Sequence, residues 1–352
     1  MIDINWYMRI FDLKKRLMNG EKFPREYVLE QFELARSPFP CVYNVETTNA
    51  CNMACLMCPR TTMMTRPVKT MATETFMQIA LQLRPHAPAL WDEWERFVQA
   101  KYRIDKYGMS ENHFFLYVIP KVLVLHGYGD PLLDPRIPDY VSILTRSGIP
   151  SYFSCNPANI NMERTQRTFE NGLSYIKYSI ESVDDLRHKS IRGEASNFSE
   201  SYRKIMKLLE LKAQKNYQTQ IVITMLDLGK VNQEEEFWLL EEAFKGMDVY
   251  IYLKSQDQAW YQNKQSVTAS IHWLEFCQFP WSSMTVKSDG LAVQCVEDFN
   301  NEIILGDAKT EKLIDIWNGE KYKRFRLNHF DVTPGIKCSE QCDMRLIGEY
   351  LK

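Results

Sequence analysis

No stretch of this 352-residue chain approaches the roughly 20 apolar residues that a membrane-crossing helix requires, so no membrane partner is expected. The opening residues, Met1-Ile2-Asp3-Ile4-Asn5-Trp6, lack the basic-then-apolar layout of a secretory signal. Charge of one sign is also missing. The net charge is −2, which removes the general electrostatic case for nucleic acid or an anionic membrane surface as a partner. Internal repeats and low-complexity tracts are absent too. With 45% hydrophobic and 25% charged residues, the composition is that of a globular protein expected in the cytoplasm, long enough for one large domain and a smaller one.

What the chain does have is cysteine. Nine thiols in close-spaced sets, in a reducing compartment, point to metal rather than to disulfides. Three of them lie in the run Cys51-Asn52-Met53-Ala54-Cys55-Leu56-Met57-Cys58-Pro59. Three thiolates at this three-then-two spacing can cap three corners of a cubane iron–sulfur cluster and leave the fourth iron open to an exogenous ligand. Tetrahedral zinc would want a fourth thiolate or histidine close by, and none follows before His86.

Periodicity organises the rest. Apolar residues at Trp6, Ile10, Leu13 and Leu17 predict a helix over 5–18, and a second helical segment runs from 24 to 34. Strands are predicted at 42–46, 122–125, 150–155, 175–180, 220–225 and 249–253, with helices at 137–146, 197–211 and 233–244 between them. Six strands separated by helices argue for a parallel α/β sheet, open or curled into a partial barrel. Residues 85–119, with Trp91, Trp94, Phe97, Tyr102 and Tyr107, interrupt the rhythm as an insertion. It either packs outside the sheet or serves as a lid or partner surface. A hairpin is predicted over 284–293, with Asp289-Gly290 at its turn, followed by a helix over 313–327. The expected division is a helical extension at 1–40, a main domain at 41–255 and a C-terminal domain at 256–352.

Ligand sites on such sheets lie beyond the carboxyl ends of the strands. Four signals fall there: the cysteine loop, the glycine turn His126-Gly127-Tyr128-Gly129-Asp130-Pro131, Cys155-Asn156-Pro157, and Ser179-Ile180-Glu181. The two glycines allow close backbone approach, and Asp130 offers a carboxylate to an ammonium group. At the other end of the chain, Cys277, Cys295, Cys338 and Cys342 make a four-thiolate set that suits either a structural zinc or a second cluster.

The cysteine loop resembles that of the radical S-adenosylmethionine (radical SAM) enzymes, and further motifs follow in that family's order over residues 40–255. Gly127-Tyr128-Gly129-Asp130-Pro131 resembles the family's Gly-Gly-Glu-Pro, with Asp130 replacing the usual Glu. The resemblance implies that this turn receives the methionine amino group. It also implies that Met57 meets the adenine through its backbone, and that Asn156 belongs to a segment where many members have Thr-Asn-Gly. Ser179 and Glu181 stand for the pair that contacts the ribose, and Arg192, in Ile191-Arg192-Gly193, reaches the methionine carboxylate. Cys277-Gln278-Phe279-Pro280-Trp281, Ser288-Asp289-Gly290 and Cys295 resemble the SPASM or shorter twitch extension of this superfamily, which turns the four C-terminal thiolates toward a fully ligated auxiliary 4Fe–4S cluster.

The implied fold is a partial (β/α)6 TIM-like barrel with a small C-terminal cluster-binding domain of β-hairpin plus helix. The implied chemistry is reductive cleavage of S-adenosylmethionine at a three-cysteine 4Fe–4S cluster. A deoxyadenosyl radical then abstracts hydrogen from an unactivated C–H bond of a small polar substrate, a sugar or aminocyclitol, in a dehydrogenation or epimerisation. A one-electron donor such as flavodoxin or ferredoxin is the expected partner. Modification of a peptide or carrier-bound substrate is the alternative, and a non-catalytic electron-transfer or metal-binding module is the alternative of another class. Cys41 reads as a small buried residue. Cys155 reads either as a buried strand-end cysteine or as the thiol that returns hydrogen in an epimerase. Asp257, Lys254 and His188 are the base candidates for a dehydrogenase.

Overall fold

The computed structural model describes residues 1–108, 110–229, 231–255, 277–331, 333–336 and 338. Six strands form the parallel core: β1 (Val42–Val45), β2 (Leu123–Val124), β3 (Ser151–Cys155), β4 (Tyr175–Ser179), β5 (Gln220–Leu226) and β6 (Val249–Lys254). They lie in the order β6-β5-β4-β3-β2-β1, the wall of a partial TIM-like barrel. Side-chain alternation gives this wall two faces. Phe153, Cys155, Ile176, Tyr178, Ile221 and Ile223 belong to the large core that includes Tyr140 and Leu144 of helix Ile137–Arg146, Ile205 and Leu208 of Phe198–Lys215, and Leu240 of Gln233–Ala243. Tyr152, Val222 and Tyr252 face the other way, into the concave interior.

The C-terminal hairpin joins the same sheet. β7 (Met284–Val286) pairs with β1 in parallel, and β8 (Leu291–Val293) and β9 (Ile304–Asp307) continue antiparallel, giving nine strands among the described residues. Gly290 sits at the hairpin turn with φ +86, a conformation that favours glycine. The helix expected at 313–327 is two helices, Leu313–Asn318 and Glu320–Phe330. Gly319 breaks it with an extended backbone, and a Cβ there would come 2.7 Å from the Asp315 carbonyl oxygen.

The insertion packs in two directions, one of them unexpected. Trp94 and Val98 of helix Pro88–Tyr102 close a second core with Trp6 and Ile10 of helix Ile4–Met18 and Phe32 of Arg25–Ala35. The π-helical turn Phe114–Val118 instead enters the barrel, where Phe114, Val118 and Ile119 pack on Val124, Tyr152, Val222 and Tyr252. The reading that the insertion lies outside the sheet is therefore corrected. Its aromatics take the space that side chains of the strands alone leave unfilled. Among the described residues no helix is long and apolar enough to cross a membrane.

Candidate active site

The cysteine loop leaves β1 through a buried segment, Glu46 to Asn49. It is docked onto the 191–193 backbone: the Ala54 amide donates to the Arg192 carbonyl at 3.1 Å and the Leu56 amide to that of Ile191 at 3.0 Å. Gly193, at φ +98, permits this approach, since a Cβ there would lie 2.9 Å from the Ala54 nitrogen. Arg192 donates to the buried Glu181 carboxylate and, through Nη1, to Cys55 Sγ at 3.6 Å. Glu181 and Cys55 hold this guanidinium above its ordinary pKa against the opposing effect of burial. Its Nε is buried with no hydrogen-bond partner among the described residues. The Met53 amide donates to Cys51 Sγ at 3.5 Å. Burial pushes the Cys51 thiol up to about 11 and raises that of Cys58, so a metal must displace protons to bind here.

The glycine turn serves the frame of this loop. A Cβ on Gly127 would come 2.5 Å from the Glu46 carboxylate, and one on Gly129 would overlap the Thr48 carbonyl. Asp130, expected to offer its carboxylate to an ammonium group, is also tied into the frame. Its oxygens accept from the Leu132 amide at 3.0 Å, the Asn156 amide at 2.9 Å and Asn159 Nδ2 at 2.8 Å. Burial raises its pKa. Asn159 in turn exchanges hydrogen bonds with Asn52 in the cysteine loop, and Asn156 Nδ2 donates to Ser196 Oγ at 2.9 Å. Glu181, besides Arg192, accepts from the Leu226 amide at 2.9 Å. Cys51, Cys55, Cys58, Asp130, Asn156, Glu181 and Arg192 are thus brought into one connected network. Ser179 ends β4 beside it.

Below this network lies a cavity of about 310 Å³, lined at its upper edge by Met57, Cys58 and Tyr128. Aromatics line it further in: Phe114, Phe115, Tyr152 and Tyr252. Its polar wall holds Asn44, His126, Lys177, Lys254 and Glu297. His126 Nδ1 accepts from the Ser154 amide at 3.0 Å, so the neutral ring carries its proton on Nε2 and acts as a donor. Burial, with Lys177 and Lys254 nearby, holds its pKa down to about 3. Asn44 Oδ1 is a buried acceptor without a hydrogen-bond partner among the described residues. Tyr128 Oη donates to Glu297 Oε2 at 2.9 Å, linking the glycine turn to the segment after β8.

Cys155 does not reach this cavity. It lies on the opposite face of β3 from Tyr152, in the core between sheet and helices, and its thiol donates to the Lys177 carbonyl at 3.7 Å. His188 is also absent from the wall. It braces the frame, with Nδ1 accepting from the Glu181 amide at 3.2 Å and Nε2 donating to Ser196 Oγ at 2.7 Å. Asp257 lies outside the described residues. Sequence reasoning missed Lys177 and Glu297, and named His126 only as the first residue of the glycine turn. A lysine inside the apolar strand Tyr175-Ile176-Lys177-Tyr178 was the available signal for Lys177, and position two residues after Cys295 for Glu297.

At the C-terminal set, the amide two residues after Cys277 and that after Cys295 repeat the Cys51 pattern. Phe279 N donates to Cys277 Sγ at 3.4 Å and Glu297 N to Cys295 Sγ at 3.3 Å. Cys277 and Cys338 meet across the ring of His329, and Cys342 lies outside the described residues. Cys41, Cys51, Cys55, Cys58 and Cys155 are free thiols.

The family model described as the radical SAM superfamily matches residues 45–242, more than half of the chain. The chain belongs to the radical SAM superfamily. A model described as an iron–sulfur cluster-binding domain, SPASM, matches residues 277–343. Among solved structures, Streptococcus suis SuiB bound to S-adenosylmethionine has a TM-score of 0.52 at 11% identity, covering 91% of this chain and 78% of that one. anSMEcpe with bound AdoMet and Cp18Cys peptide has a TM-score of 0.51 at 13% identity, covering 89% and 92%. BtrN in complex with AdoMet and 2-DOIA has a TM-score of 0.45 at 16% identity, covering 87% and 93%. At such identities the likeness is one of fold. No curated protein sequence matches the chain.

As a radical SAM enzyme with a SPASM domain, the protein uses S-adenosylmethionine, a 4Fe–4S cluster and auxiliary iron–sulfur chemistry. The donor set fits. Among the described residues no three His, Cys, Asp or Glu side chains converge on a single ion. A cubane asks for something different, each thiolate on its own iron, with N–H groups directed at the sulfurs. The front loop supplies three such sulfurs, an amide donor to one of them and a guanidinium to another.

Proposed function

We propose that this radical SAM enzyme oxidises a small, oxygen-rich substrate, a sugar or related polyol, held in the 310 Å³ cavity beneath the cysteine loop. When bound, the first cluster and S-adenosylmethionine supply a deoxyadenosyl radical that takes a hydrogen atom from an unactivated C–H bond, and the auxiliary cluster supplies a one-electron acceptor. Cys51, Cys55 and Cys58 hold the first cluster. Met57 and the backbone of Gly127, Tyr128 and Gly129 border the S-adenosylmethionine site, with Ser179 and Glu181 toward the ribose. Asp130, Asn156 and Arg192 keep that frame closed around it. Cys277, Cys295, Cys338 and Cys342 hold the auxiliary cluster.

The observation that carries the reading is the cavity itself. Its volume is at the low end for small-molecule sites, and Phe114 and Phe115 stand inside the barrel where a peptide would need room. Lys177, Lys254 and His126 Nε2–H present donors, which favour hydroxyl and carbonyl oxygens and repel the ammonium of an aminocyclitol. Oxidation is preferred over epimerisation because Cys155 faces away. Oxidation of an alcohol needs a base, and Glu297 at the cavity wall takes the hydroxyl proton while Tyr128 Oη orients its carboxylate. The protonated Nε2 of His126 is unable to do so. A flavodoxin- or ferredoxin-like donor supplies the reducing electron.

The test is anaerobic. Reduced holoenzyme with S-adenosylmethionine should release 5′-deoxyadenosine, and a panel of sugars and polyols should yield a product two hydrogens lighter by accurate mass. A product of unchanged mass that gains one deuterium from heavy water would replace oxidation by epimerisation. A colourless protein reconstituted only with zinc would end the reading altogether.

A further inference from the structure

His329 stands between two cysteines that are far apart in sequence. It lies on helix Glu320–Phe330 with no solvent exposure, its ring stacked on Phe325 at 5.9 Å and tilted against Trp281 at 6.1 Å. The Cys277 amide donates to Nε2 at 2.8 Å, so Nε2 carries no proton. The neutral ring must then carry its proton on Nδ1, and Nδ1 lies 3.5 Å from Cys338 Sγ. Once a metal has taken the thiol proton, that sulfur is an acceptor only.

We infer that His329 is a positioning residue of the auxiliary cluster, donating an Nδ1–H···S hydrogen bond to Cys338 while its Nε2 holds the backbone of Cys277. This rests on the reading of Cys277 and Cys338 as ligands of that cluster. Cys277 and Cys295 receive their N–H donors from the backbone two residues on, whereas Cys338 receives one from a side chain on another element. A donor to a ligand sulfur stabilises the reduced cluster more than the oxidised one, because reduction adds negative charge that spreads onto sulfur. His329 therefore raises the potential of the auxiliary cluster, making it a better acceptor for an electron from substrate. One ring also sets the separation of two ligands from opposite ends of the SPASM region.

The experiment uses the full chain carrying C51A/C55A/C58A, so that only auxiliary iron remains, and follows its reduction by electron paramagnetic resonance against potential. H329L should shift the midpoint to more negative potential. H329N, whose amide N–H falls at the place of Nδ1–H, should recover part of the shift. An unchanged midpoint in H329L overturns the role of His329 and leaves the ligand reading standing. Absence of all iron from the C51A/C55A/C58A chain overturns the ligand reading, and the inference with it. Should H329L fail to fold, the unmutated residue decides: with ¹⁵N-histidine in the otherwise identical chain, the reduced cluster should show one weak ¹⁵N coupling. No coupling, or the strong coupling of a direct iron–nitrogen bond, overturns the assignment.

Discussion

Cys51, Cys55 and Cys58 ride on one short loop, whereas Cys277, Cys295 and Cys338 are spread over a stretch that holds three strands, three helices and the connections between them. The front loop needs little more than its own backbone and one docking surface, the 191–193 segment, to bring its sulfurs to the barrel rim. The C-terminal set needs a tertiary clamp. β7 must pair with β1 to place the hairpin, and His329 must reach both Cys277 and Cys338. Local spacing builds the first site and long-range packing builds the second. The first is accordingly the more tolerant of change in the surrounding fold.

That contrast can be broken most sharply at the cysteines. C58A should abolish deoxyadenosine release, while C338A should retain it and lose the oxidised product; chromatography of both compounds reads the difference. If C338A also stops deoxyadenosine release, the two sites are not functionally separate. Next in size is E297Q, which joins the sites through Tyr128. It should slow product formation by about 10²–10⁴-fold, the usual worth of a general base, with deoxyadenosine release preserved. Equal loss of both would place Glu297 in S-adenosylmethionine binding instead.

A third variant tests the seam between the regions. Arg66 donates to the fully buried Glu46 at 2.5 Å, to the Phe299 carbonyl at 2.6 Å and to Ser288 Oγ at 3.3 Å. Burial opposes ionisation of Glu46, yet the buried Lys287 together with Arg66 holds its pKa below the ordinary range. R66M should cost about 3–5 kcal/mol, read from denaturant midpoints of the apoprotein, because a buried carboxylate loses its charge-paired donor. A cost under 1 kcal/mol would mean that Lys287 suffices alone.

Acid should weaken the front frame before the seam. His188, fully buried, has its pKa held down to about 4 by burial first and Arg192 second. The unfolded chain binds its proton near the ordinary value of about 6.5 and the folded chain does not, so the stability is intact above that pH and falls as pH drops toward 4. The loss from this residue is about 2 kcal/mol at pH 5. In H188Q the denaturation midpoint should lose that part of its pH dependence. The smallest effect belongs to Cys155. C155A should leave product formation unchanged and cost about 1 kcal/mol, the worth of one small buried group. Loss of product with deoxyadenosine preserved would restore it as a hydrogen donor.

Legibility followed the same division. Helix Ile137–Arg146 and the six core strands were readable because apolar periodicity and turn residues act locally. The break at Gly319 was hidden inside an apolar pattern that continues across it. The inward path of Phe114 was hidden because an aromatic run looks the same whether it meets a helix layer or a barrel interior. Asp130 could be read as a ligand contact, but not that Asn156 and Asn159 would already hold it. Cys155 shows the limit within a single strand: the residue type was visible, and the facing depended on which side of the sheet became the cavity.

By itself, then, the amino-acid order determined the chemistry on offer: three thiols at cluster spacing, a glycine turn, alternating strands and helices, and a second cysteine set. Those are near-neighbour properties of the chain, carried by spacing and backbone preference. Only the tertiary structure decided which groups share a wall. Lys177, His126 and Glu297 come from three separated segments, and no local rule brings them together. Curvature of the sheet and the entry of Phe114 do so, because the packing around them leaves this space open and turns toward it whatever side chains happen to face inward.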